Sequence, residues 1–178
     1  AKKQGAVGIN VAGMCCTGNE ILMRHGIPVA GNFLQQELAV ATGAVEAMVV
    51  DIQCVMPALG ALSGCFHTKF ISTSPKAMFP GATHMEFHEE TAMQTAKEIV
   101  KTAIANYQNR NPLKVHIPNE KAKCMVGFSV ESILAALGGS LDPLLGAIKS
   151  GAVRGIGAVV GCNNPKVQHD YGHLNLVR

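Results

Sequence analysis

Short β-branched runs recur along this chain with helical stretches between them, and this alternation limits the fold more than any other feature. The runs cover residues 6–12, 47–53, 69–74, 124–129 and 154–161. Each is almost continuously apolar, as expected of strands covered on both faces. The clearest helix spans 89–108, where Met93, Ala96, Val100, Ile104 and Tyr107 recur at three-to-four spacing. Its charges (Glu89, Glu90, Lys97, Glu98, Lys101) read as a solvated face. Further helices are expected over 57–66, 130–137, ending at Gly138-Gly139, and 141–149, ending at Gly151. Strand–helix–strand repetition requires right-handed crossovers between parallel strands. The expected fold is therefore α/β: a three-layer Rossmann-like sandwich with a mostly parallel sheet of about five strands.

With 178 residues, 48% of them hydrophobic and 15% charged, the chain can bury a core and is read as one domain, 1–178. The polar stretch 109–123 is a surface connection, because the same pattern resumes after it. Trp is absent and aromatics are 4%, so Val, Ile, Leu, Met and Ala must fill the core. The formal charge is +3, with Lys and Arg scattered rather than striped among aromatics, which argues against a nucleic-acid partner. No uncharged apolar run is long enough to span a bilayer. The first residues show no secretory pattern, so a cytoplasmic, reducing location is expected. The chain opens without Met, and its last residues, His173 to Arg178, read as the start of an element. A piece of a longer protein is the expectation.

In an open parallel sheet, ligands bind beyond the carboxyl ends of the strands. Cysteine stands there three times: Cys15-Cys16 after 6–12, Cys54 after 47–53 and Cys162 after 154–161. Each precedes a helix start. Thr17 and Glu20 have capping-box spacing, with Arg24, His25 and Gly26 suited to the helix end. Pro57 fits a first turn, and Asn163-Asn164-Pro165 reads as a cap followed by proline. The partial positive charge of a helix N-terminus lowers thiol pKa, and thiolates are what soft metals and iron–sulfur clusters need. Cysteine is also among the most buried residue types, so Cys65, inside an apolar helix, and Cys124, opening a strand, are assigned to packing. No C-x-x-C exists, which speaks against a zinc ribbon or a thioredoxin-type pair. An adjacent Cys15–Cys16 disulfide would be strained; one ligand and one spare thiol fit better.

The remaining signals are weak. Gly8, Gly13 and Gly18, and Gly155, Gly157 and Gly161, miss the dinucleotide-fingerprint spacing. His84 and His88 flank a strand-like Met85-Glu86-Phe87 and are given no chemistry. No nucleophile elbow, P-loop or metalloprotease motif is present.

The segments around the thiols resemble a known family. They are Met14-Cys15-Cys16-Thr17-Gly18-Asn19-Glu20, Leu22-Met23-Arg24-His25-Gly26-Ile27-Pro28, Val49-Val50-Asp51-Ile52-Gln53-Cys54, Pro80-Gly81-Ala82-Thr83-His84 and Gly161-Cys162-Asn163-Asn164-Pro165-Lys166-Val167. Together they resemble the catalytic subunit of the anaerobic nickel–iron–sulfur carbon monoxide dehydrogenases, and the likeness runs over essentially the whole chain. It implies the middle, first Rossmann-like domain of a longer homodimeric subunit. That subunit oxidises CO with water to CO2, two protons and two electrons at an NiFe3S4 unit with a pendant iron. It implies Cys16 as ligand to the pendant iron, Cys54 and Cys162 as ligands to cage irons, and Cys15 as an adjacent, alternative thiol.

Further 4Fe-4S clusters, a ferredoxin-like acceptor and an acetyl-CoA synthase partner also belong to the family. Its histidine ligand, two further cluster cysteines and the acid–base His and Lys fall outside this chain. The chain is thus expected to carry half the cluster shell and to be inactive alone. Two other readings of the same residues stay open: a hybrid-cluster (prismane-type) reductase relative, and a non-catalytic Rossmann-like binding module.

Overall fold

The computed structural model describes residues 1–121, 123, 127–164 and 166–178. Its first half contains two parallel sheets. Strands β1 (Gly13–Met14) and β2 (Val29–Gly31) form one, with Gly13 opposite Val29. Strands β3 (Ala47–Val50), β4 (Lys69–Ser72) and β5 (Ala82–His84) form the other in that order, with Met48 opposite Phe70 and Phe70 opposite Ala82. Helix α1 (Cys15–Glu20) follows β1 directly, and α2 (Gln36–Ala41) lies between β2 and β3. Helix α3 (Leu59–Leu62) joins β3 to β4. The α/β class and the parallel pairing agree with the sequence reading. The strand content differs: the sheets hold three and two strands, where one sheet of about five was expected.

The core sits on one face of the larger sheet. Side chains alternate along a strand, so the register puts Met48, Phe70 and Ala82 side by side. There they meet Val40 from α2 and Leu59 from α3, and Phe70, Leu59 and Val40 are buried. Phe79 closes the cluster edge-on to Phe70, with ring centroids 5.6 Å apart. Ile71, fully buried, points the other way. Helix α4 (Ala92–Asn106) packs against β3 and β4. It fills most of the expected 89–108 span, with 3-10 turns at Glu89–Thr91 and Tyr107–Asn109 as its ends.

A polar network ties the start of β3 and β4 to the end of α4. Asn106 donates from Nδ2 to the carbonyls of Glu46 and His67. The Glu46 carboxylate accepts from Arg110 and lies 3.2 Å from His67 Nε2.

The second half contains α5 (Val130–Ala136), α6 (Asp142–Lys149) and α7 (Tyr171–Val177). Ser129 caps α5 by accepting from the Ser132 N–H at 3.1 Å, and Gly138, Gly139 and Gly151 have positive φ just beyond the helix ends. No strand forms over 154–161, where Ile156 and Val160 are exposed. Of the expected strand 124–129, residues 124–126, including Cys124, lie outside the described residues, and 127–129 are not in a strand. The expected strand 6–12 gives way to the two-residue β1 that follows it. An apolar run signals burial, and it becomes a strand only where a neighbouring strand takes up its hydrogen bonds.

Candidate metal centre

Gly13 and Gly18 set the position of the first two cysteines. A Cβ on Gly13 would stand 2.5 Å from the Gly18 Cα, so only two glycines let α1 fold back against β1 at this distance. This explains glycines whose spacing fits no dinucleotide fingerprint. Cys15 follows at the start of α1 with φ 57°, in the left-handed region, and Cys54 has φ 56°. Such backbone costs roughly 1–3 kcal/mol per non-glycine residue and persists only where surrounding structure dictates it.

The fold brings these cysteines together. Cys16 Sγ and Cys54 Sγ lie 3.8 Å apart, 38 residues apart in sequence. Cys15, buried, accepts a hydrogen bond at Sγ from Gln36 Nε2 at 3.1 Å. Gln36 Nε2 also donates to the Cys54 carbonyl, and its Oε1 accepts from the Met56 N–H at 3.0 Å. Cys162 is exposed but close enough that its charge acts on both Cys15 and Cys54. Its loop is tied to the site by Asn32, whose Nδ2 donates to the Asn163 carbonyl at 3.2 Å.

Several local expectations are corrected. The thiols do not share the edge of one sheet: β1 and β3 belong to different sheets, and no strand leads to Cys162. Thr17 does not cap α1, because the helix begins at Cys15 with Met14 at its cap position. The capping box forms instead between Asn32 and Gln35, opening the turn that leads into α2. Among the described residues no helix starts directly after Asn163-Asn164, and α7 begins only at Tyr171; Asn164 Oδ1 accepts from the Lys166 N–H in a turn, and Pro165 lies outside the described residues. Arg24, His25 and Gly26 do end a helical segment, a 3-10 turn at Leu22–His25 closed by Gly26 at φ 75°. Cys65 is exposed, not packed inside a helix. His84 and His88 both face Glu86, at 4.0 and 3.7 Å.

The expected acidification of the thiols is also reversed at two positions. Burial first, then the neighbouring Cys16 thiol, pushes Cys54 up to about 11. Burial likewise raises Cys15, partly offset by the Gln36 hydrogen bond. Helices of six and four residues, α1 and α3, give little dipole to oppose these effects.

Gln36, Asn32 and Asn163 were not picked out from the sequence as site residues. The one available signal for Gln36 is a polar amide inside the run that becomes α2.

Among the described residues no three His, Cys, Asp or Glu side chains close on a point as a single bound ion requires. A metal–sulfur cage spreads its ligands over several metal atoms, so the test of fit is the donor set. Free thiols from two remote loops meet at Cys16 and Cys54 with Cys15 beside them, and burial together with neighbouring sulfur makes the Cys15 and Cys54 thiolates costly in the absence of a cation. That is a soft, cation-seeking set, and it fits an iron–sulfur or nickel–iron–sulfur group.

Comparison with known proteins agrees with this chemistry. The carbon monoxide dehydrogenase 1 of Methanosarcina mazei is 74% identical over 178 residues, covering 100% of this chain and 28% of that protein. That of Carboxydothermus hydrogenoformans is 48% identical over 184 aligned residues, covering 100% of this chain and 29% of that protein. Among solved structures, the Ni-free carbon monoxide dehydrogenase of Thermococcus sp. AM4 superposes with a TM-score of 0.81 at 58% identity, over 98% of this chain and 28% of that one. An acetyl-CoA synthase/carbon monoxide dehydrogenase structure, described by its NiZn[Fe4S4] and NiNi[Fe4S4] clusters, gives 0.78 at 42% identity, over 98% of this chain and 27% of that one. The chain thus spans less than a third of the length of these relatives. The Prismane/CO dehydrogenase family model matches residues 1–178, and the chain belongs to that family.

Proposed function

We propose that this chain is the middle, Rossmann-like domain of a carbon monoxide dehydrogenase catalytic subunit, and that it supplies Cys16, Cys54 and Cys162 to a nickel–iron–sulfur cluster. The observation that carries this reading is the 3.8 Å approach of Cys16 and Cys54, with Cys15 and Cys162 in electrostatic reach. When bound, the cluster supplies the site at which CO is oxidised with water to CO2 and the two electrons are taken up. This chain's own part is to hold sulfur donors. Cys16 serves the pendant iron, Cys54 and Cys162 serve the cage, and Cys15 stays beside them as the alternative thiol.

The exposed surface supports a domain that is completed by the rest of a longer chain. It amounts to 12929 Å², whereas a folded monomer of 18.7 kDa exposes about 8,300 Å². Large apolar side chains such as Val7, Leu113, Ile156 and Val160 lie open to solvent. On this reading the excised domain does not turn over CO. The parent subunit works as a cytoplasmic homodimer, passes electrons through its own 4Fe-4S clusters to a ferredoxin-like acceptor, and is open to association with an acetyl-CoA synthase. Among the described residues no helix is long and apolar enough to cross a membrane.

The family description also covers the prismane-type hybrid-cluster proteins. The relatives named as carbon monoxide dehydrogenases, up to 74% identical, favour CO as substrate.

The test is CO-dependent reduction of a viologen by the full-length protein, wild type against Cys54→Ala. Loss of activity together with iron and nickel is expected. Unchanged activity removes the ligand assignment. A wild type that carries its cluster but is inert toward CO points to the prismane-type relative instead.

A further inference from the structure

We propose that Gln36 is a positioning residue for the thiol centre: its buried carboxamide fixes the Cys15 and Cys54 loops against each other, and Asn32 does the same for the Cys162 loop. The inference rests on the ligand reading above.

Gln36 opens α2 and is 4% exposed. A buried amide is costly unless its donors and acceptor are paired. All the partners of this one belong to the site. Nε2 donates to the Cys15 sulfur at 3.1 Å and to the Cys54 carbonyl, and Oε1 accepts from the Met56 N–H at 3.0 Å. Both donor hydrogens of the amide and its acceptor are therefore engaged. The chain is gripped on either side of Val55 and, through the sulfur, at the β1–α1 junction.

The two residues so gripped, Cys15 and Cys54, are also two of the three non-glycine residues with positive φ among the described residues. A left-handed cysteine needs an external constraint to stay there, and the Gln36 carboxamide is bonded to both. Asn32, four residues earlier, caps its own turn through Oδ1 and spends Nδ2 on the Asn163 carbonyl, next to Cys162. The short segment from Asn32 to Gln36 thus reaches every loop that brings a thiol to the centre.

An apolar replacement fills the space but leaves the Cys54 carbonyl and the Met56 N–H unpaired. A glutamate keeps the acceptor for Met56 and sets a carboxylate oxygen against a sulfur and a carbonyl. Partners that orient metal ligands are worth roughly 10- to 100-fold in metal affinity when lost.

The experiment uses the anaerobically purified full-length protein as Gln36→Met, Gln36→Glu, Asn32→Ala and Cys54→Ala, each against wild type. Iron and nickel per subunit are measured before and after challenge with a chelator, with the low-temperature EPR spectrum and the melting temperature. Gln36→Met and Gln36→Glu are expected to release metal at least roughly 10-fold more readily and to show an altered cluster spectrum at a near-native melting temperature. Asn32→Ala is expected to do the same more weakly, because Asn32 bonds the loop and not a cysteine. Wild-type chelator resistance and an unchanged spectrum in both Gln36 variants would overturn the inference, whatever happens to activity. If Gln36→Met does not fold, Gln36→Glu, which matches glutamine in shape, decides alone. Full metal content in Cys54→Ala sinks the ligand reading itself, which separates the two failures.

Discussion

Arg110 reaches back 64 residues to place its guanidinium on Glu46, with Nη2 2.6 Å and Nε 2.7 Å from the same carboxylate oxygen. Glu46 immediately precedes β3, and His67 approaches that oxygen from the segment before β4. The network therefore closes the end of the larger sheet opposite the thiols. Removing one partner of a buried ion pair costs about 3–5 kcal/mol. Here both side chains keep some water contact, at 19% and 27% exposure, so about 2 kcal/mol is expected. Glu46→Ala should speed amide exchange in β3 and β4 roughly 30-fold. Exchange unchanged within about threefold would mean that the pair adds nothing.

The core makes a contrasting prediction. Phe70 is 1% exposed and packs edge-on to Phe79, whereas Phe128 is 70% exposed. Phe70→Ala should cost about 3–5 kcal/mol through lost burial and a residual cavity. Phe128→Ala in this chain should stay within about 0.5 kcal/mol. Urea unfolding midpoints check both, and equal shifts would contradict the core described above.

How much of this was legible depends on whether the deciding contact is local. The runs 47–53 and 69–74 announced β3 and β4, which stop earlier, at Val50 and Ser72, because Val, Ile and Phe with turn signals nearby are a local pattern. The same pattern misled at 154–161, where Ile156 and Val160 are as apolar as any strand yet pair with nothing among the described residues. Composition records a demand for burial, not the presence of a partner. The approach of Cys16 to Cys54 was readable because sulfur chemistry is rare enough to be noticed residue by residue. The pKa direction of Cys15 and Cys54 was not readable: helix starts argued for acidic thiols, and burial with neighbouring sulfur prevailed. Glu46–Arg110 and the Gln36 contacts are ordinary polar residues whose meaning lies wholly in tertiary distance.

Gly18→Ala tests the close approach that sets Cys15 and Cys16. The added methyl carbon would stand 2.5 Å from the Gly13 carbonyl carbon and 2.8 Å from its Cα, both of them backbone atoms that cannot rotate away. Helix α1 must then lift from β1, carrying Cys16 away from Cys54. In the full-length protein the expected result is loss of iron and nickel with the larger sheet intact, read by metal analysis beside amide exchange in β3 and β4. Normal metal content would show that the thiol positions tolerate the shift.

The last prediction concerns the metal-free chain and follows the sign of the Cys54 shift. Its thiol ordinarily ionises near 9.0 and is pushed up to about 11, by burial first and by the Cys16 thiol second. The folded state therefore holds the Cys54 proton more tightly than the unfolded state does. The resulting stabilisation is full below pH 9.0 and is lost as pH rises toward about 11. Alkylation of Cys54 by iodoacetamide under anaerobic conditions should accordingly show a midpoint well above that of the urea-unfolded chain. Cys16→Ala should move that midpoint down only part of the way, since burial, which raises it without any help from Cys16, remains. A midpoint equal to that of the unfolded chain would mean that the sulfur is hydrated and the thiols are not crowded. A complete return in Cys16→Ala would make the neighbouring sulfur, not burial, the dominant cause.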